Sequence, residues 1–300
     1  MRIGIDLGGT KIQGILLAGD GTIIQKIRVA TPGENYTETV EALCRVVTEL
    51  QDYSAGRLSV GIGTPGALSV SNEVLKNCNS ICLNGQPLKK DIEQTLGYEI
   101  RIENDANCFT LSEALYGSAK EANIVFGVIL GTGTGGGIVV NKKLLTGPNS
   151  IAGEWGHNSI PSSARELIEA DRSCYCGGRN CIETVLSGRG LKQTFSERYG
   201  QDLEATQIAQ MAVAGDQNAI DCVQLYCQQL ARCLATVVNV IDPDMIVLGG
   251  GLSNIDELYR SVPVFMEEFV FTDIMLTELS AANFGDASGA RGAACLWPLS

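Results

Sequence analysis

Residues 123–141 read NIVFGVILGTGTGGGIVVN, and the reading of this stretch decides the fold. Asn123 to Leu130 has the length and apolar content of a buried strand. Gly131, Gly133 and Gly136 then spell a formal G-x-G-x-x-G, the dinucleotide fingerprint. That fingerprint needs a helix directly after the turn, to receive the pyrophosphate on its N-terminus. Here Ile138-Val139-Val140-Asn141 follows instead, a β-branched run and a turn residue, so the chain returns as a strand. No Gly-Lys-Ser/Thr follows, which removes the Walker loop as well. What remains is strand, glycine turn, strand, with backbone N–H groups that can approach an anion without a β-carbon in the way.

The N-terminal end is organised the same way. Ile3 to Asp6 reads as a buried strand, Gly8-Gly9 as a turn and Ile12 to Leu17 as the returning strand. Gly19-Asp20-Gly21 turns the chain again into Ile23 to Val29, giving an antiparallel meander. Asp6 stands just before the glycines, where a carboxylate can hold a phosphate-bound Mg²⁺ directly or through water. A third glycine turn, Gly249-Gly250-Gly251, follows the apolar run Met245 to Leu248 and is a candidate adenosine contact. Each turn alone could be structural. Three of them, each directly after an apolar strand, point to a nucleotide. Its phosphates would be held by Asp6, Gly8, Gly9, Thr10 and Lys11 from one half and by Gly131, Thr132 and Gly133 from the other. The repetition is in organisation and not in letters. It predicts an α/β chain of two similar domains facing each other across a ligand cleft.

Between the turns, Tyr36 to Leu50 spaces Val40, Leu43, Val46, Val47 and Leu50 as a helix does. Leu58 to Gly63 and Ile100 to Ile102 read as strands, Pro87 opens a short helix, and Asn104 to Tyr116 forms another. Asn218 to Ile241 is a long helix stopped by Asp242-Pro243, and Ser288 to Leu296 a helix of small residues.

The bulk numbers narrow the function. Three hundred residues, 45% hydrophobic and 19% charged, suit one large or two ordinary globular domains. A net charge of −12 argues against nucleic acid and against an anionic membrane surface, since both reward basic patches. No apolar run approaches membrane length and the N-terminus carries no signal core, so a cytoplasmic location is expected. Eleven cysteines, an odd number without secreted spacing, fit a reducing compartment. Cys222, Cys227 and Cys233 read as small buried apolar residues of the long helix.

Two constellations carry chemistry. The chain's one histidine ends Glu154-Trp155-Gly156-His157, and Cys174, Cys176 and Cys181 follow within the stretch Cys174 to Glu183. One imidazole and three thiols are a tetrahedral zinc set, bracketed by Glu154 and Glu183. With four protein ligands the zinc would be structural. The second constellation, Glu103-Asn104-Asp105-Ala106-Asn107, sits where a strand gives way to a helix. Asp105 can be read there as a helix cap or as a base that takes a proton from an attacking hydroxyl.

Taken together, these residues resemble the ROK family of bacterial sugar kinases. The resemblance rests on Asp6 to Lys11, Glu103 to Asn107, Gly131 to Gly137, Glu154 to His157, Cys174 to Glu183, and Asp242 through Gly251, and so covers essentially the whole chain. Leu83 to Pro87, Cys174 to Gly177 and Gly292 to Pro298 look most like bacterial fructokinases within it. The resemblance implies an actin-like ATPase (ribonuclease H-like) fold with two lobes, 1–118 plus 285–300 and 119–284, that close on ATP and a hexose. It implies transfer of the γ-phosphoryl to a primary hydroxyl, fructose to fructose 6-phosphate first and N-acetylglucosamine or glucose as alternatives. Asp105 would be the general base, and Asn84, Asn104, Glu154, His157 and Glu183 would bind sugar hydroxyls, with Gly66 approaching by its backbone. Zn²⁺ would sit on His157, Cys174, Cys176 and Cys181, Mg²⁺ would accompany ATP, and the assembly would be a homodimer. Repressors in the same family carry a DNA-binding helix-turn-helix ahead of the kinase-like core, and with the phosphate turn already at Asp6 none is expected here. Where the family usually has Gly before the third Cys, this chain has Asn180, which tolerates a left-handed backbone better than most residues.

Overall fold

In the computed structural model, residues 1–33, 35–78 and 80–298 are described, Asp286 by its backbone alone. They form two units. The first holds Met1–Lys120, Lys142–Ala152 and Phe284–Ser300, and the second holds Glu121–Asn141 and Gly153–Asn283. The segment Lys142–Ala152 therefore groups with the first unit, whereas the sequence reading assigns it to the second lobe.

The first unit is built on strands β1 (Arg2–Leu7), β2 (Lys11–Leu17), β3 (Ile23–Ala30), β4 (Ser59–Thr64), the short ribbon β5 (Ala67–Leu68) and β6 (Leu75–Lys76), and β7 (Arg101–Asn104). The main sheet runs β3-β2-β1-β4-β7. The meander β1-β2-β3 is antiparallel, as the turn residues predict, and β4 and β7 join in parallel. Position explains sequence here. Central β1 is buried along almost its whole length, while edge strand β3 alternates between half-buried and exposed residues. The helix Tyr36–Gln51 is capped by the Asn35 side chain, which accepts the Glu38 N–H at 3.2 Å. It buries Val40, Leu43, Val46, Val47 and Leu50, each contributing about 1.5–3 kcal/mol when fully buried. The helix Ser288–Ala294 packs on β1 and β4 so tightly that a β-carbon on Gly61 would overlap the Ala293 carbonyl. That closeness is why this helix is written in small residues.

The second unit repeats the strand plan with β8 (Ile124–Leu130) and β9 (Thr134–Val140); the two-residue β10 (Lys143–Leu144) lies in the intervening first-unit segment. Strands β11 (Met245–Gly249) and β12 (Glu278–Ala281) complete it, in the order β9-β8-β11-β12. Strand β9 begins four residues before the expected Ile138. Gly135, Gly136 and Gly137 pair with Ile129, Val128 and Gly127 and so belong to the ladder. Glycine costs a strand stability but opens space for a close neighbour. That neighbour is Trp155, whose indole N–H donates to the Gly135 carbonyl at 3.1 Å. The long helix Gln217–Ile241 buries Cys222, Cys227 and Cys233 as expected, and ends on Asp242 with φ +43°. Among the described residues no helix is long and apolar enough to cross a membrane.

Candidate functional site

In the first unit the Asp6–Lys11 turn is closed by its own residues and one neighbour. The Gly8 N–H donates to the Lys11 carbonyl at 2.9 Å. Thr31, just past β3, donates its hydroxyl to the Gly8 carbonyl at 2.7 Å and its N–H to the Thr10 carbonyl at 3.0 Å. Asp6, at the end of β1, lies against the first turn of Ser288–Ala294, where a β-carbon on Gly289 would come within 3.1 Å of both carboxylate oxygens.

At the β7-to-helix junction the cap falls to Asn104 and not to Asp105. The N-cap is Asn104, whose side-chain oxygen accepts the N–H groups of Ala106 at 2.9 Å and Asn107 at 3.4 Å. Asp105 is the first helical residue, half-buried, with one carboxylate oxygen on the Ala106 N–H at 2.8 Å. The Asn104 amide also donates to the Gly66 carbonyl at 3.0 Å, which brings two of the expected sugar ligands into contact. Asn84 is pinned nearby in the chain's own framework. Its side chain accepts the Cys78 N–H at 2.8 Å and donates to the Cys78 carbonyl at 2.9 Å. That leaves it one amide hydrogen and one lone pair for a ligand. Beneath these acids lies Cys108, fully buried. Burial raises its thiol well above the ordinary range, and the charges of Glu103, Asp6 and Asp105 raise it further.

In the second unit the Gly131–Gly137 turn is held differently. Its Gly131 N–H donates to Gly133 at 2.9 Å, but the Gly131 carbonyl accepts the Gly188 N–H at 2.7 Å. The Thr134 N–H donates to Glu183 Oε2 at 3.0 Å. Glu183 opens the short helix Glu183–Leu186 directly after the cysteine cluster. Glu154 precedes the 3₁₀ turn Trp155–His157, which hangs on β9 through the Trp155 indole.

His157, Cys174, Cys176 and Cys181 come together, with all ligand atoms within 4.8 Å of one another. His157 Nδ1 is 3.7 Å from the Cys174 sulfur, and the Cys176 and Cys181 sulfurs are 3.6 Å apart. Zinc–sulfur bonds of 2.3 Å in a tetrahedron put sulfurs roughly 3.7 Å apart, so the set fits the ion. Burial pushes the Cys181 thiol up to about 12 and raises Cys174, while the Gly178 N–H lowers Cys176. A cation among them reverses the burial effect by favouring thiolate. Asn180 holds the loop with φ +52°, the left-handed backbone expected of it. It adds what glycine cannot: its side chain accepts the Arg172 N–H and donates to Asp171, each at 2.8 Å.

The third turn runs from β11 into Gly250, with φ +84°, and Gly251. Gly251 borders a cavity of about 710 Å³ whose walls include Leu252, Ala209, Val213, Ile220 and Arg260.

Three features escaped the sequence reading. Thr31 carries no motif. The Glu183–Thr134 bond spans 49 positions. Tyr175 lies inside the cysteine cluster, yet only geometry shows its hydroxyl 3.1 Å from His157 Nε2, with the two rings edge to face. The second imidazole nitrogen, expected to face a sugar, already has this exposed partner.

The sequence profile of the ROK family matches residues 2–299. A relative from Pectobacterium carotovorum subsp. carotovorum (strain PC1), named N-acetyl-D-glucosamine kinase, is 40% identical over 300 residues, covering 99% of this chain and 98% of its own. One of the same name from Pasteurella multocida (strain Pm70) is 37% identical over 301 residues, covering 99% of each. Among solved structures, a ROK hexokinase from Thermus thermophilus superposes with TM-score 0.86 at 27% identity, over 98% of this chain and 96% of that one. A ROK family glucokinase from Streptomyces griseus, in complex with glucose and AMPPNP, superposes with TM-score 0.79 at 27% identity, over 98% of each. The two-sheet α/β architecture is that of these kinases, in keeping with the actin-like ATPase fold.

Proposed function

The chain belongs to the ROK family, and on that premise we propose that it is an ATP-dependent sugar kinase that phosphorylates N-acetylglucosamine on its primary hydroxyl. One observation carries the choice of sugar: full-length identity of 37–40% to relatives named N-acetyl-D-glucosamine kinase. Fructose, the first expectation from the sequence, has no such support; its case rests on local likeness around Leu83 to Pro87, Cys174 to Gly177 and Gly292 to Pro298. A panel of N-acetylglucosamine, fructose, glucose and mannose with ATP and Mg²⁺ decides between them by kcat/KM. Fructose leading the panel overturns the choice.

Asp105 is assigned as the base. It accepts the hydroxyl proton as the oxygen attacks the γ-phosphorus and the bond to the β-phosphate oxygen breaks. Asn104 holds the helix start and the Gly66 carbonyl in register with it. The N–H groups of the Asp6–Lys11 and Gly131–Gly137 turns suit phosphate oxygens, and the cavity beside Gly251 suits the adenosine. Mg²⁺ would be held by the Asp6 carboxylate, directly or through water, and would neutralise phosphate charge when bound. Glu154, Glu183 and Asn84 supply donors and acceptors for sugar hydroxyls, and His157 joins them by exchanging the Tyr175 hydroxyl on Nε2 for one of the sugar's. Zinc on His157, Cys174, Cys176 and Cys181 would be structural, since four protein ligands leave no open position. The reading includes a homodimer, which light scattering on the purified protein tests.

A further inference from the structure

The bond between Glu183 and the second glycine turn joins two sets of residues that the proposed function treats separately. The Thr134 N–H, on the first residue of β9, ends on Glu183 Oε2 at 3.0 Å. Gly133 is shaped around the same oxygen, because a β-carbon there would lie 2.6 Å from it. The Gly188 N–H, one turn further along the chain from Glu183, holds the Gly131 carbonyl at 2.7 Å. Both ends of the turn Gly131–Thr134 are therefore fixed from the segment Glu183–Gly188. A carboxylate has two oxygens and room for several hydrogen bonds. With Oε2 on the turn, Oε1 remains for a ligand.

We propose that Glu183 is a bridge: one carboxylate oxygen takes a sugar hydroxyl while the other holds the Thr134 N–H, so that sugar binding orders the phosphate-binding turn. This deepens the proposed function and rests on its assignment of Glu183 to the sugar and of Gly131–Thr134 to the phosphates. The physical basis is shared ordering. A hydroxyl on Oε1 fixes the Glu183 rotamer, the fixed rotamer fixes the Thr134 amide, and the nucleotide then meets a turn whose ordering cost has been met. Such coupling is reciprocal.

The test is titration calorimetry on the zinc-loaded enzyme, with a non-hydrolysable ATP analogue and Mg²⁺ as probe, with and without saturating N-acetylglucosamine. In the wild type the sugar tightens the analogue by about tenfold, within the usual range of coupling. Glu183→Ala removes the bridge outright. Gly133→Ala keeps the carboxylate but displaces it from the turn, at a glycine whose φ is not positive. In both variants the factor falls to within about twofold of unity. Undiminished coupling in Gly133→Ala overturns the bridge, as does a wild type without coupling. The proposed function fails separately: if Glu183→Ala binds the sugar as the wild type does, Glu183 is not a sugar ligand at all. Should Glu183→Ala not fold, Gly133→Ala carries the test alone.

Discussion

The two glycine turns are written alike and held differently. Asp6–Lys11 is tied to itself through Gly8 and Lys11, and to Thr31 at the end of the same meander. Gly131–Gly137 is tied to Glu183 and Gly188, about fifty residues away and adjoining the cysteine cluster. A self-contained turn keeps its shape whatever happens elsewhere. A turn held by a distant carboxylate inherits the state of whatever positions that carboxylate. In this chain that carboxylate directly follows the gathered side chains of His157, Cys174, Cys176 and Cys181.

The comparison can be broken from either side. The largest effect is expected on the first side, at Asp105. Asp105→Asn keeps the shape of the side chain and removes its basicity, so kcat falls by about 10²–10⁴-fold with sugar affinity largely kept. Near-normal turnover in a stopped assay would take Asp105 out of the role. On the second side, His157→Ala should cost zinc occupancy and sugar affinity together, by about 10–100-fold in the latter. Metal analysis and calorimetry read the two effects; a variant that keeps its zinc, or loses zinc yet binds sugar normally, separates turn from cluster. Wild-type protein purified without added zinc and found free of metal would end the zinc assignment.

Smaller effects sharpen the contrast. Thr31→Val deletes the hydroxyl that holds Gly8. A lost neutral hydrogen bond is worth about 1 kcal/mol, so the KM for ATP rises by about fivefold while that for sugar does not move. Movement of both would mean that the first turn is not self-contained. The smallest effect concerns Asp171, whose carboxyl is held below its usual range by hydrogen bonds from Asn180 and Arg165. A depressed folded-state value gives stability that is present above the ordinary carboxylate range and lost as pH falls through the folded value. Melting temperature should therefore drop less steeply on acidification in Asp171→Asn than in the wild type. Equal slopes would remove Asp171 as a tether of the Asn180 loop.

The parts legible in the sequence were those with a local signature. The β1-β2-β3 meander, the helix Tyr36–Gln51 and the stop at Asp242 follow from periodicity and turn residues. The gathering of His157 with Cys174, Cys176 and Cys181 follows from spacing, and the backbone of Asn180 from its tolerance of positive φ. What stayed hidden was set by packing. The early start of β9 depends on Trp155 covering three glycines that have no strand preference of their own. The helices Gly188–Tyr199 and Ala205–Val213 were not read, the first because its buried stripe is thin, with Gly190, Leu191, Thr194 and Phe195 facing inward. Asn104 and Asp105 are equally good caps on paper. Only the strand's exit at Asn104 decides which of them caps the helix and which is left half-buried at its first turn.

The helix Ser288–Ala294 has a consequence for biosynthesis. It completes the core of a unit whose sheet begins at Arg2, yet it is translated after the whole of the second unit. On the ribosome, Glu121–Asn141 and Gly153–Asn283 are available to fold while β1 and β4 still lack the helix that covers them. Domains generally fold as units in order of synthesis, and here the order is inverted: the half that starts the chain is the last that can finish. Until then Gly4 and Gly61, bare of side chains to suit that helix, leave a strip of sheet backbone uncovered.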